Sequence, residues 1–347
     1  MLPPFGWHAV VTQWQFAPVV TGFVAVAAGL YLWGALRVGR RHPARPWPAW
    51  RSGMFLGGLA AIVVATQSGI GAYDDVLFWD HMVQHLILLM IAPPLLIAGQ
   101  PITLLMHASR NPLHTWTKGV VRSRIASFLT WPVFGIVAYA AAVVAAHLTD
   151  LANRAETSQA LHNAEHALFL VVGYLFFLPI LGREPIRWRL SYPMRFVILI
   201  LVMPVDTFTG LVLGYGNAGT PGVSADRPSW APGQVQDLHL GGAAMWIGGD
   251  AIMFALMMLV FLMWSTDDRA AASSHGWLEA ARRTSIASLI GAQQTAVPAA
   301  DGAVSAAPGS APAGDWSGHG GIDDDEHLAA YNAFLARLND AEPERRQ

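Results

Sequence analysis

The chain has 347 residues, of which 54% are hydrophobic and only 13% charged, against roughly 25% charged in ordinary soluble domains, which indicates an integral membrane protein. It contains no cysteine, which excludes structural disulfides, thiolate metal sites and thiol catalysis and leaves His, Met, Asp and Glu as metal donors. The formal net charge is -2, and no basic cluster is interleaved with aromatic residues outside short loops, so no nucleic-acid partner is indicated.

The N-terminal stretch MLPPFGWHAVVTQW lacks the positively charged start of a cleavable signal peptide, so the first apolar helix is expected to be retained. Runs long enough for the ~20 residues that cross a hydrocarbon core lie at about 15–36, 52–71, 79–99, 127–149, 160–182, 194–215 and 238–264. They predict an all-α bundle of seven transmembrane helices over residues 1–266. The first connection carries Arg37, Arg40, Arg41, Arg45 and Arg51, whereas the second carries only Asp74 and Asp75. The third holds Arg110, Lys118, Arg122 and Arg124, and the fifth holds Arg183, Arg187 and Arg189, with Arg195 just beyond. The fourth has only Arg154 and the sixth only Arg227. Positive charge therefore alternates from side to side, which predicts an outer N-terminus and a cytoplasmic C-terminus. After Trp264 the composition turns to Ala, Gly, Ser and Pro, which cannot bury enough apolar surface to fold alone. Residues 267–347 are thus expected to form a cytoplasmic tail. It ends in a short amphipathic helix marked by Leu328, Tyr331, Phe334, Leu335 and Leu338 behind an acidic start.

With this orientation, histidines from four spans meet in one outer layer. The third span enters at Trp79, which puts His81 and His85 in its outer half, His85 roughly 9 Å below the entry. The fifth opens with His162 and His166 at a comparable depth, the fourth ends near His147, and the seventh enters through Asp237 and His239. Residues four apart on a helix share a face, so each pair, His81/His85 and His162/His166, can hold one metal ion. With 13 histidines in the chain, chance alone gives about 0.5 pairs at this spacing, so one pair would carry little and two at equal depth carry more. Ionisable groups inside spans usually mark a functional path or site. His147 and His239, each at a helix end, are balanced between ligation and simple interfacial exposure. His8 is read as a surface residue, as are His42, His107, His114, His275, His319 and His327 in cytoplasmic segments.

A haem held by two spans would use one imidazole on each face and leave the second histidine of each pair idle, so a compact ion fits better than haem. Imidazole suits copper or zinc, and the nearby thioethers of Met82, Met90, Met245 and Met253 would favour Cu(I), although methionine in an apolar helix is usually packing. Asp80, at the mouth of the third span, either caps the helix or orients a histidine. Asp206 follows Pro204 in mid-span, where a loosened backbone can open a polar cavity. Asp250 lies about 16 Å beyond His239 along the helix, too deep for the same shell, and is expected to pair with another buried polar group. Glu165 points about 100° away from His166, and HNAEH is not the HExxH zinc-protease pattern.

The stretches DHMVQHLILLMIAPPLLIAGQP, HNAEHALFLVVGYLFFLPILG, MPVDTFTGLVL and DLHLGGAAMWIGGD together resemble the polytopic CtaG-type cytochrome c oxidase assembly factors of bacteria, over roughly residues 10–265. The resemblance implies a multi-pass protein of the bacterial plasma membrane that helps to mature a haem-copper oxidase without being an enzyme itself, with a suspected role in copper handling. It places the candidate copper site on His81, His85, His162 and His166, with Asp80, His239 and Asp206 as further contributors. The implied partners are oxidase subunits and, on the outer side, a copper chaperone. Other factors sharing that name are single-span and bind copper through cysteines; this chain has neither feature. Two alternatives would use the same histidines, a copper transporter and a membrane-embedded metalloenzyme with an acidic general base. A histidine set should bind copper less well as imidazoles protonate toward about pH 6.

Overall fold

The computed structural model describes residues 2–149, 158–216 and 228–267, all within one compact unit, Met1–Leu278. The tail from residue 268, with its amphipathic helix, lies outside the described residues, as do Arg154 and Arg227. The described residues are helical with no strand. A short α1 (Trp7–Thr12) precedes α2 (Pro18–Arg41), α3 (Ala49–Tyr73) and α4 (Phe78–Ala108). Two short helices, α5 (Leu113–Val121) and α6 (Arg124–Leu129), lead to α7 (Pro132–Leu148). The unit closes with α8 (Gln159–Leu181), α9 (Tyr192–Gly214) and α10 (Gln234–Asp267).

Six of these helices, α2, α3, α4, α8, α9 and α10, are long and apolar enough to cross a membrane. The fourth expected span, about 127–149, is instead α7, an apolar helix of 17 residues, because Pro132 restarts the chain after the turn that ends α6. At 1.5 Å per residue it is about 26 Å long, a little short of the hydrocarbon thickness.

Burial ranks the helices. The most apolar window of α4 is 67% buried while that of α2 is only 11%, so α4 is the central post and α2 a peripheral one. α4 is packed by α3, α8 and α10, and α7 packs on α8 and α9. Large apolar residues such as Phe23, Leu30, Val171, Ile200 and Phe254 point outward, as lipid requires.

Two close backbone approaches set this packing. A Cβ at Gly173 of α8 would stand 2.2 Å from the Leu89 carbonyl oxygen of α4, and one at Gly242 of α10 would stand 2.5 Å from that of Gly210 in α9. Only glycine lets these helices meet, in the small-residue manner of membrane interfaces. Leu89 lies in a π-helical turn, Ile87–Ile91, whose widened bond runs from the Ala92 N–H to the Ile87 carbonyl. Pro93 and Pro94 explain the widening, since neither has the N–H that would pair with Leu89 or Met90. The extra residue turns the N-terminal half of α4 by roughly 100° relative to its C-terminal half.

Helix starts that neighbouring sequence leaves bare are capped from afar. The carboxylate of Asp237, fully buried in α10, accepts from the N–H groups of Phe78 (2.8 Å) and Trp79 (3.1 Å). Glu184 likewise accepts from Ile102 and Thr103 N–H at 3.1 and 2.8 Å, where α4 resumes after Gln100, whose φ is 52°. The local cap expected of Asp80 is therefore corrected: the cap is Asp237, and Asp80 lies inside the first turn, 1% exposed, with its Oδ2 unpartnered.

Candidate metal centre

The histidine pairs of α4 and α8 converge as their spacing required. The ring centroids of His81 and His85 are 4.1 Å apart and those of His162 and His166 4.3 Å, one helical turn in each case. Between the helices, His81 stands 5.3 Å from His162 and 6.5 Å from His166, and His85 stands 6.1 Å from His166. His147, at the end of α7, joins them with its ring 5.2 Å from that of His85. It is only 3% exposed, so it belongs to the cluster and is no interfacial residue.

Two carboxylates complete the layer. Asp74, just beyond the C-terminal end of α3, has its Oδ2 3.2 Å from His162 Nε2 and accepts at 2.8 Å from Gln84 Nε2, which also donates to the Ala65 carbonyl. Glu165, on α8, has its Oε1 3.9 Å from His85 Nε2. The 100° between Glu165 and His166, read from sequence as turning Glu165 away, instead turns it toward the α4 pair. Asp74, His162 and His166 each offer a ligand atom within 4.8 Å of the others, and so do His81, His85 and Glu165.

Hydrogen bonding fixes how His85 is presented. The Val143 carbonyl can only accept, so His147 Nδ1, 2.8 Å away, carries a proton. In the neutral ring His147 Nε2 is then a lone pair, and His85 Nδ1 at 3.1 Å donates to it. His85 is left with a lone pair on Nε2, which has no hydrogen-bond partner and faces a carboxylate whose Oε2 also has none. Two buried acceptors facing each other need a proton or a cation between them. The 3.9 Å between His85 Nε2 and Glu165 Oε1 is compatible with two ligands sharing one ion at about 2.0–2.2 Å each. The donors are imidazole nitrogen and carboxylate oxygen, so the set fits Cu(II) or Zn(II) rather than a haem.

Below the cluster Phe169 packs against His85, ring centroids 4.4 Å apart, and forms an apolar floor with Leu89 and Val143. A cavity between Met82, His85, His147, Asp206 and Met245 leaves about 10 Å³ for the centre of a water, room for about one molecule. Asp206 is 1% exposed and accepts from the Tyr139 hydroxyl at 2.8 Å. It reaches the cavity but neither ligand group. Asp250 pairs with Thr207 Oγ1 at 3.1 Å, the polar pairing expected of it. Met82 and Met245 line the cavity, while Met90 and Met253 sit in the apolar core.

His239 is exposed and in neither ligand group, which corrects its placement in the site. Asp237 points into the start of α4, and a residue two positions on is turned by about 200°, away from the cluster.

Residues 29–267 match the family described as cytochrome c oxidase caa3 assembly factor (Caa3_CtaG). The chain belongs to that family. The family match contains Asp74, His81, His85, His147, His162, Glu165 and His166, so the whole cluster lies in its Caa3_CtaG region. Relatives include uncharacterized proteins of Mycobacterium bovis and Mycobacterium tuberculosis, each 31% identical over 274 residues, which cover 76% of this chain and 41% of the relative. One from Mycobacterium leprae is 28% identical, with 75% and 41% covered. The chain thus spans about two fifths of the length of these relatives. No solved structure matches it.

Within this Caa3_CtaG bundle, sequence reasoning left out Asp74 and Glu165 as ligands or orienting groups, and held His147 in balance between ligation and interfacial exposure. Glu165 had a signal: it lies three residues after His162, a spacing that shares a helix face. Asp74 had a weaker one, an acidic pair at the same end of the bundle as the histidines.

Proposed function

We propose that the chain takes up copper at the outer end of the bundle and assists its insertion into a caa3-type haem-copper oxidase, with its N-terminus outside and its C-terminus in the cytoplasm. The observation that carries the reading is the lone pair of His85 Nε2 facing Glu165 among four further imidazoles. His81, His85, His162, His166, Asp74 and Glu165 would hold copper as cargo. His147 fixes the tautomer of His85, Gln84 orients Asp74, and Phe169 keeps water from below. Copper on imidazole and carboxylate can leave as protons compete for the ligands, which suits a donor better than a resident cofactor site.

Family membership supports an oxidase as the recipient, and a site near one end of the membrane domain can face copper ligands in a neighbouring subunit at similar depth. Transport through the bundle is the weaker reading, because the cavity beneath His85 has room for about one water and is walled by Leu86, Leu89, Val143 and Phe169. The test is complementation of a host lacking the chain, with copper measured in the purified oxidase. Wild-type chain should restore a full copper complement, and a variant with His81, His85, His162 and His166 all changed to Ala should not. Full restoration by that variant, present at wild-type level, would remove the copper role.

A further inference from the structure

We infer that the outer layer holds two metal ions side by side, each on two imidazoles and one carboxylate. This rests on the reading of the cluster as a metal site and deepens it. The six donors fall into two sets that share no residue: His81, His85 and Glu165 in one, Asp74, His162 and His166 in the other. The rings pair in the same way, at 4.1 and 4.3 Å within a set and 5.3 to 6.5 Å between sets. α8 serves both, with Glu165 turned to one set and His162 and His166 to the other.

Unsatisfied atoms point the same way. His85 Nε2 and Glu165 Oε2 in the first set are buried without a hydrogen-bond partner, and so is His166 Nε2 in the second. A four-coordinate ion uses about four protein ligands, so a single ion would leave at least two of the six donors outside its shell, and an ion held by the first set alone would leave the buried His166 Nε2 unsatisfied, at a cost. In the second set Asp74 Oδ2 and His162 Nε2 are 3.2 Å apart, near the ~3.4 Å between two ligands of one tetrahedral ion. Two divalent ions also suit the charge of the layer, which adds the buried carboxylate of Asp80, with Oδ2 unpartnered, to those of Asp74 and Glu165. Neither set includes a thioether, so the ions are of the Cu(II) or Zn(II) class.

The experiment uses the full chain in detergent, stripped by chelator and then equilibrated with Cu(II) or with Zn(II) in separate samples. Bound metal per chain is read by mass spectrometry for wild type, for Glu165→Gln with His81→Ala, and for Asp74→Asn with His162→Ala. The expected result is two ions per wild-type chain and one in each variant. One ion per wild-type chain overturns the two-ion centre and leaves copper binding standing, whereas none overturns both. The wild-type number decides the matter even where a variant fails to fold, and Glu165→Gln and Asp74→Asn alone, which keep side-chain volume, repeat the dissection with less disturbance.

Discussion

Changing His147 to Leu probes the tautomer argument at its source. The substitution removes the acceptor that lies 3.1 Å from His85 Nδ1 and the donor that lies 2.8 Å from the Val143 carbonyl, while it keeps the site apolar and near its original volume. His85 Nδ1 then has no acceptor, and its ring is free to turn its Nε2 lone pair off the line to Glu165. Loss of a group that orients a metal-bound imidazole typically costs 10–100-fold in affinity, or about 1.4–2.8 kcal/mol. His147→Gln places an amide oxygen near the position of Nε2 and should recover affinity to within roughly threefold. The assay is competition for Cu(II) against a chelator of known affinity, at fixed pH in detergent, with helicity checked by circular dichroism. Equal affinity in His147→Leu and wild type would refute the tautomer argument. Equal loss in His147→Leu and His147→Gln would reduce His147 to packing.

Other predictions follow from the packing and the caps. Gly173→Ala puts a Cβ 2.2 Å from the Leu89 carbonyl oxygen, so α8 must shift from α4 by about 1 Å. Overpacking of this kind costs about 1–3 kcal/mol, and metal affinity should fall with the unfolding midpoint although no ligand is touched; unchanged values for both would show that the helices are not held this closely. Glu184→Ala strips the acceptor from two backbone N–H groups, at about 1–3 kcal/mol each, and should lower the unfolding midpoint without altering metal content. Burial raises the Glu184 carboxyl above its ordinary 4.5 despite its bonds to Thr103 and Ile102. Its ionisation therefore opposes folding: the penalty is absent below about pH 4.5 and grows as pH rises through the raised value. Wild type should accordingly lose stability relative to Glu184→Gln as pH rises from about 4.5 toward neutrality, and a pH-independent difference in midpoint would contradict the assignment.

Much of the site was legible because helical geometry is local. Four-residue spacing guaranteed that each histidine pair shares a face, and a rise of 1.5 Å per residue put the pairs at one depth. What the spacing could not say is which way each face looks. The π turn after His85 re-aims the histidine-bearing half of α4, and its cause, two prolines eight and nine positions after His85, acts through bonds that no periodicity records. Glu165 was therefore turned away on paper and toward His85 in space. His147 looked like a helix end because its burial depends on α4 and α8 closing over it. The exchange of roles between Asp80 and Asp237 has the same origin: the cap joins residues 159 positions apart in sequence, a distance at which no local capping rule operates. The short α7 differs from its expected span for a local reason, since Pro132 begins a new helix where the hydropathy run continues.

The most direct measurement is the copper content of detergent-purified chain after copper loading, by mass spectrometry with an absorption spectrum, for wild type and for the variant with His81, His85, His162 and His166 changed to Ala. Copper that is present in wild type, lost in the variant and unaccompanied by a haem band is the result predicted here. Wild-type chain that takes up no copper while remaining folded would contradict it, and would leave the protein to act on its oxidase by contact alone.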